Sequence, residues 1–139
     1  MKERFITVTG VNYCFGMKPL CVGAVVRCVK EPDNAYDGEA IRVEMPWLGQ
    51  VGYVANSPRT CANGTMSAGR VYDAVGQTFF ARVMFTTQTK VIARVLEAGA
   101  DELARIFESQ GREFYESGAG EEDDLALDDD LSALDVVEG

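Results

Sequence analysis

A tyrosine beside an aspartate, Tyr36-Asp37, sits in the turn-forming segment Lys30-Glu31-Pro32-Asp33-Asn34-Ala35-Tyr36-Asp37-Gly38-Glu39-Ala40-Ile41 between two runs of strand-forming sequence. Pro, Asp, Asn and Gly at these spacings build an ordered turn and leave the aromatic and the carboxylate at its tip. The chemistry on offer is recognition: a tyrosine ring stacks on a base or ring, and an adjacent carboxylate accepts a hydrogen bond from a hydroxyl. The same residues fit a plainer arrangement, in which Asp37-Gly38 is an ordinary hairpin signal and Tyr36 packs against the body of the domain.

The other reactive groups argue against catalysis. The chain has no histidine, so the commonest general base, proton shuttle and metal ligand is missing. Cys14, Cys21, Cys28 and Cys61 have six, six and 32 residues between neighbours, with no C-x-x-C knuckle. They read as small buried thiols, reduced in a cytoplasmic setting, neither zinc ligands nor an activated nucleophile. Asp33, Asp37 and Glu39 could collect magnesium, but no spacing favours that over a polar turn. The expectation is a non-catalytic chain with no metal and no cofactor. MKERFITVTG lacks the apolar core of a signal peptide, and no stretch reaches the roughly 18 apolar residues of a membrane span, so neither is expected. The glycosylation tripeptide Asn63-Gly64-Thr65 then carries no meaning.

These residues must be positioned by a single small domain, since 139 residues, 47% of them hydrophobic, suffice for one core and not for two. Six short runs rich in Val, Ile, Phe and Thr, at 5–9, 24–30, 40–45, 50–55, 78–86 and 91–96, read as strands. Ile41, Val43 and Met45 alternate with Arg42 and Glu44, the pattern of a half-buried strand. So many short strands in under about 100 residues favour a small closed barrel, because closure removes exposed edges. Thr87-Gln88-Thr89 predicts a tight hairpin connection between the last two strands. Between strands four and five lies a long run of turn chemistry with one helical candidate, 67–75, capped by Ser67. The fold class is mainly β with minor α.

Charge divides the chain. Up to Gly99 there are eleven basic and eight acidic residues, a net +3; from Ala100 onward two basic and fourteen acidic residues give −12. Within 100–117, Leu103, Ile106, Phe107 and Phe114 share one face at helical spacing, Asp101 and Glu102 occupy the first turn, and Gly118 is a stop, which predicts an amphipathic helix. It needs a surface to pack on, supplied by the body or by a second copy. The segment 118–139 has nine acidic residues and no basic one, so disorder is expected. Three roles fit it: a solubilising tail, a partner-binding motif through Leu127, Leu131 and Leu134, or a cover for a basic groove on its own body. The organisation is a barrel over 1–99, the helix 100–117 and the acidic tail 118–139.

Three blocks resemble a known family. Phe5 through Gly10-Val11-Asn12-Tyr13, then Lys30-Glu31-Pro32-Asp33-Asn34-x-Tyr36-Asp37-x-x-Ala40-Ile41-x-Val43, then Val51-Gly52-Tyr53-Val54, are similar to the HIRAN domain over roughly 5–96. The stretches Tyr53-Val54-Ala55-Asn56-Ser57-Pro58 and Ser67-Ala68-Gly69-Arg70-Val71-Tyr72-Asp73 look more like the small stand-alone bacterial members than the helicase-linked ones. The resemblance implies a modified OB/SH3-like barrel. In helicase-linked members such a barrel binds single-stranded DNA at its 3′-hydroxyl end, in DNA repair or replication-fork processing. Carried over by position, Tyr13 and Tyr36 would stack on the terminal base and Asp37 would accept from the terminal hydroxyl. Asn12 stands where that pattern has arginine, and Tyr53 and Asn56 where it has histidine and lysine, so the phosphate-contacting charge is thinner here. Arg59, Arg70 and Lys18 are the basic residues of neighbouring loops that would make up for it. The leading expectation is a module gripping a single-stranded DNA end through Asn12, Tyr13, Tyr36, Asp37, Tyr53, Asn56 and Arg59. The alternative is a protein-interaction adaptor that uses the barrel as scaffold and the helix and acidic tail for a partner or for self-association, without DNA.

Overall fold

The structure, a computed structural model, describes residues 3–14 and 16–116. Six strands form a closed antiparallel barrel: β1 (Phe5–Thr9), β2 (Val25–Lys30), β3 (Ile41–Met45), β4 (Gly49–Val54), β5 (Thr78–Thr86) and β6 (Val91–Leu96). Their order around the barrel is β1-β4-β3-β2-β5-β6. Strand β1 is the closing element, pairing Val8 and Thr9 with Val54 and Tyr53 on one side and Phe5–Val8 with β6 on the other. The period-two pattern sets the interior: Val26, Cys28, Ile41, Val43, Ala81, Val83 and Ala93 are fully buried, while Arg42 and Glu44 face outward. The β5–β6 hairpin is closed as its turn residues predict, with the Thr87 N–H donating to Lys90 O at 2.8 Å.

The excursion between β4 and β5 is pinned to β1. The Met66 N–H donates to Phe5 O at 2.7 Å, and the buried Thr7 hydroxyl accepts from the Ala62 N–H at 3.0 Å while sharing a 2.8 Å hydrogen bond with Thr65 Oγ1. Helix α1 (Ala68–Tyr72) follows. Ser67 caps it as its residue type predicts, accepting from the Arg70 N–H at 3.2 Å. The helix is shorter than the expected 67–75, because the N–H groups of Asp73 and Ala74 both turn back to Val71 O. Lys30 holds its far end, donating to Val75 O at 2.8 Å and lying 4.3 Å above the Tyr72 ring.

Helix α2 (Ala100–Glu116) lies on the outside of the barrel. Val25 and Phe80 form an outer apolar patch, extended by Leu96, and Leu103, Ile106 and Phe107 cover it. The body therefore supplies the surface this helix needs. Arg27 stacks on the other side of the contact, its guanidinium 4.7 Å from the Phe107 ring centre. The Val25 N–H donates to Gln110 Oε1 at 2.9 Å, and Gln110 Nε2 donates to Val25 O. The reason lies in the neighbouring strand: β2–β3 pairing ends at Arg27 opposite Glu44, and two residues further the register reaches Pro46, which has no N–H to give. The Gln110 amide completes the ladder in its place. The side chain of Phe114, Gly118, the acidic tail and its Leu127, Leu131 and Leu134 lie outside the described residues.

Candidate functional site

The turn between β2 and β3 is built by its own side chains. The Glu31 N–H donates to Ala40 O at 2.8 Å and closes the loop at its base. Asn34 Oδ1 accepts from the N–H groups of Tyr36 and Asp37 at 2.8 and 3.1 Å, and Asp37 Oδ1 accepts from the Glu39 N–H at 2.9 Å. These short side-chain-to-backbone bonds are what Asn and Asp supply in turns. They leave Tyr36 98% exposed. The plainer arrangement, with this ring packed on the barrel, is therefore not the one adopted.

Tyr36, Asn34 and Asp37 form one wall of an open groove of about 490 Å³; Tyr53 and Val54 of β4 and the following Asn56, Ser57 and Thr60 form the other. Asp37 is held from two sides, since its second carboxylate oxygen, Oδ2, accepts from Asn56 Nδ2 at 3.0 Å. Among the described residues neither Asp37 nor Glu39 forms an ion pair. The groove can thus offer a stacking face and a fixed hydrogen-bond acceptor, and it presents unneutralised negative charge to anything that enters.

A charged ladder underpins this wall. Glu31 Oε1 accepts from Asn34 Nδ2 and from the Tyr53 hydroxyl, both at 3.0 Å, while Glu31 Oε2 pairs with Arg42 at 2.6 Å. Arg42 also pairs with Glu44 at 2.6 Å, and Glu44 with Arg27 at 2.9 Å, which leads to Phe107 of α2. Burial alone would raise the Glu31 pKa, but hydrogen bonds from Asn34, Arg42 and Tyr53 outweigh it and hold the carboxyl below the usual range. The Tyr53 phenol is pushed up, first by burial and then by its bond to Glu31. Tyr53 thus faces the groove as a neutral hydroxyl already committed to Glu31.

The remaining sequence candidates are placed differently. Asn12 and Tyr13 belong to a 3₁₀ turn, Val11–Tyr13, entered through Gly10 at φ 74°. This turn crosses β4 at Gly52, where a Cβ would stand 2.8 Å from Thr9 O and 3.4 Å from Val11 Cγ1, one residue from Tyr53. Asn12 is exposed and does not line the groove; the Tyr13 side chain lies outside what the structure describes. Arg59 is exposed on the 57–60 turn, beside Ser57 and Thr60 that line the groove, and Arg70 follows Gly69, whose N–H donates to Asn56 Oδ1 at 2.8 Å. Both residues therefore lie on segments beside the groove without lining it. Lys18 is exposed in the loop before β2 and does not line the groove. All four cysteines are free, but only Cys28 is buried as expected, inside the barrel, where burial, with Glu44 adding to it, pushes its thiol pKa far up; Cys21 is exposed and Cys14 and Cys61 are half-buried, since they lie in loops outside the strands. Among the described residues no helix is long and apolar enough to cross a membrane.

Asn34, Glu31 and Gly69 were absent from the candidates read off the sequence. For Asn34 a signal was present, since Asn-x-Tyr-Asp places its acceptor two and three residues before the N–H groups it holds. Gly69 carried none.

No curated protein matches the chain. Among solved structures, the crystal structure of the HIRAN domain of human HLTF superposes with a TM-score of 0.50 at 20% identity, covering 80% of this chain and 87% of that one. A crystal structure of a protein from Lactobacillus plantarum gives 0.45 at 23% identity, covering 70% and 98%. The HIRAN domain family model matches residues 1–99, the whole barrel with its turn, groove and α1. On that match, the chain belongs to the HIRAN domain family.

Proposed function

We propose that this barrel is a non-catalytic nucleic-acid-binding module whose groove takes the end of a single-stranded DNA. Family membership supports a DNA-binding module. The observation that carries the finer reading is Tyr36, an aromatic ring 98% exposed beside a carboxylate held by the Glu39 N–H and by Asn56. A tyrosine so exposed gains nothing from the fold and is ready to stack on a base, an interaction of roughly 1–3 kcal/mol that tolerates any sequence. Asp37 then accepts a hydrogen bond from a terminal hydroxyl. Because Asp37 and Glu39 have no cationic partner among the described residues, a terminal phosphate is repelled where a hydroxyl is accepted.

Fluorescence anisotropy of a short labelled single strand at low salt tests this, comparing a 3′-hydroxyl with a 3′-phosphate end. Tighter binding of the hydroxyl end supports the assignment. Equal binding of both ends removes Asp37 from it, and no binding by the intact chain moves the function to protein partners.

A further inference from the structure

Helix α1 keeps a glycine where alanine is the better helix former. Gly69 sits in its first turn, and an added Cβ would stand 2.5 Å from Glu39 Oε1 and 3.3 Å from Asn56 Oδ1. The close approach has a use. The Gly69 N–H donates to Asn56 Oδ1 at 2.8 Å, which fixes the amide so that Nδ2 faces Asp37 Oδ2 at 3.0 Å and Glu39 Oε1 at 3.4 Å. Both amide protons of Asn56 are then taken by carboxylates. The side chain lines the groove, but it has no donor left for a phosphate.

We propose that Asn56 is a positioning residue, through which α1 fixes the Asp37 carboxylate in the groove, with Gly69 and Glu39 as its backing. This rests on the end-binding reading of the groove and assigns it a second layer. A carboxylate held at one oxygen by the Glu39 N–H and at the other by Asn56 loses little freedom when it accepts a ligand hydroxyl. Without the Asn56 bond, the Oδ2 atom has its one intramolecular donor removed and must be ordered by the ligand.

The test uses the full chain with Gly69→Ala, Glu39→Ala and the double variant Gly69→Ala/Glu39→Ala, the Glu39→Ala chain setting the baseline for the lost charge. The added methyl displaces Asn56 and Glu39, whereas removing the Glu39 carboxylate makes room for it. Two readouts are taken: the side-chain amide resonances of Asn56 without ligand, and anisotropy with a labelled oligothymidine bearing a 3′-hydroxyl. In Gly69→Ala the Asn56 resonances shift and binding weakens about tenfold, the weight of a lost hydrogen bond to a charged group. The thermal midpoint stays level or rises, and the double variant binds as tightly as Glu39→Ala alone, because the methyl then meets no carboxylate. Unchanged resonances in Gly69→Ala overturn the proposal, as does a double variant that binds less tightly than Glu39→Ala alone. Should the wild-type chain bind no oligonucleotide, the end-binding reading falls, and the resonances alone decide whether α1 fixes Asn56.

Discussion

Tyr36 and Glu31 are five residues apart and play opposite parts. Tyr36 touches almost nothing in the fold, so Tyr36→Ala leaves stability within about 0.5 kcal/mol. Oligonucleotide affinity drops by the stacking term of roughly 1–3 kcal/mol, and Tyr36→Phe keeps most of it. Chemical denaturation and anisotropy on the same samples check both halves, and equal losses in Ala and Phe would assign the effect to the hydroxyl. Glu31 instead holds Asn34, Arg42 and Tyr53, and its folded pKa is lowered. A carboxyl shifted in that direction contributes stability above its ordinary pKa of about 4.3, lost as pH falls from there through the lowered folded value. Urea midpoints of wild type should fall more steeply over that window than those of Glu31→Gln. The site is at the surface, so added salt shrinks the difference. Parallel midpoints for the two proteins would remove Glu31 from the acid response. The exposed Tyr36 beside a half-buried Asp37 was legible in the sequence as a turn tip, because turn chemistry is local. Glu31's role was not, since its partners Arg42 and Tyr53 lie eleven and 22 residues away and meet it only across β2, β3 and β4.

At the scale of elements, the alternation of β3 and the hairpin turn at Thr87 announce themselves, whereas closure does not. Strand β1 reads as any edge strand until Val54 and Ala93 lie opposite Val8 and Ile6. Local patterns cannot say which two strands a third will join. The β3–β4 turn was equally hidden: Pro46 suits its second position, but Trp47 takes φ 71° at the next, where glycine is the ordinary choice. Helix α2 was half legible. Leu103, Ile106 and Phe107 mark an apolar face, but its seat, Val25 and Phe80, is spread over strands that sequence order keeps apart. Gln110 makes that seat specific. Gln110→Ala leaves the Val25 N–H and C=O without their partner, a cost of about 1–3 kcal/mol, whereas Ser109→Ala on the exposed side costs under about 0.5 kcal/mol. Hydrogen exchange at the Val25 amide reports it directly. An amide as protected in Gln110→Ala as in wild type would mean the helix does not complete the ladder.

The whole molecule sets a mildly basic barrel against a strongly acidic end, +3 against −12, and this sign asymmetry decides how binding responds to salt. Asp37 and Glu39 at the groove form no ion pair among the described residues, and Arg59 and Arg70 are exposed cations on segments beside it. If those two neutralise one phosphate each, the slope of log affinity against log salt is about −1.4, at roughly −0.7 per phosphate for a single strand. A slope several times steeper places the contacts elsewhere on the body. Removing residues 118–139 takes nine side-chain carboxylates from the chain and with them much of its net negative charge. The truncated chain therefore binds a single strand more tightly at low salt, and the two forms converge as the Debye length shrinks toward about 8 Å at physiological ionic strength. Convergence follows whether the tail repels the strand at a distance or covers the groove by charge attraction. The two differ in the absence of DNA, because a covering tail moves the resonances of Arg59, Arg70 and Tyr36 and a merely repelling one leaves them where the truncated chain has them. Equal affinity of both forms at every salt concentration would show that the acidic end and the groove act independently, and would leave the tail to a protein partner.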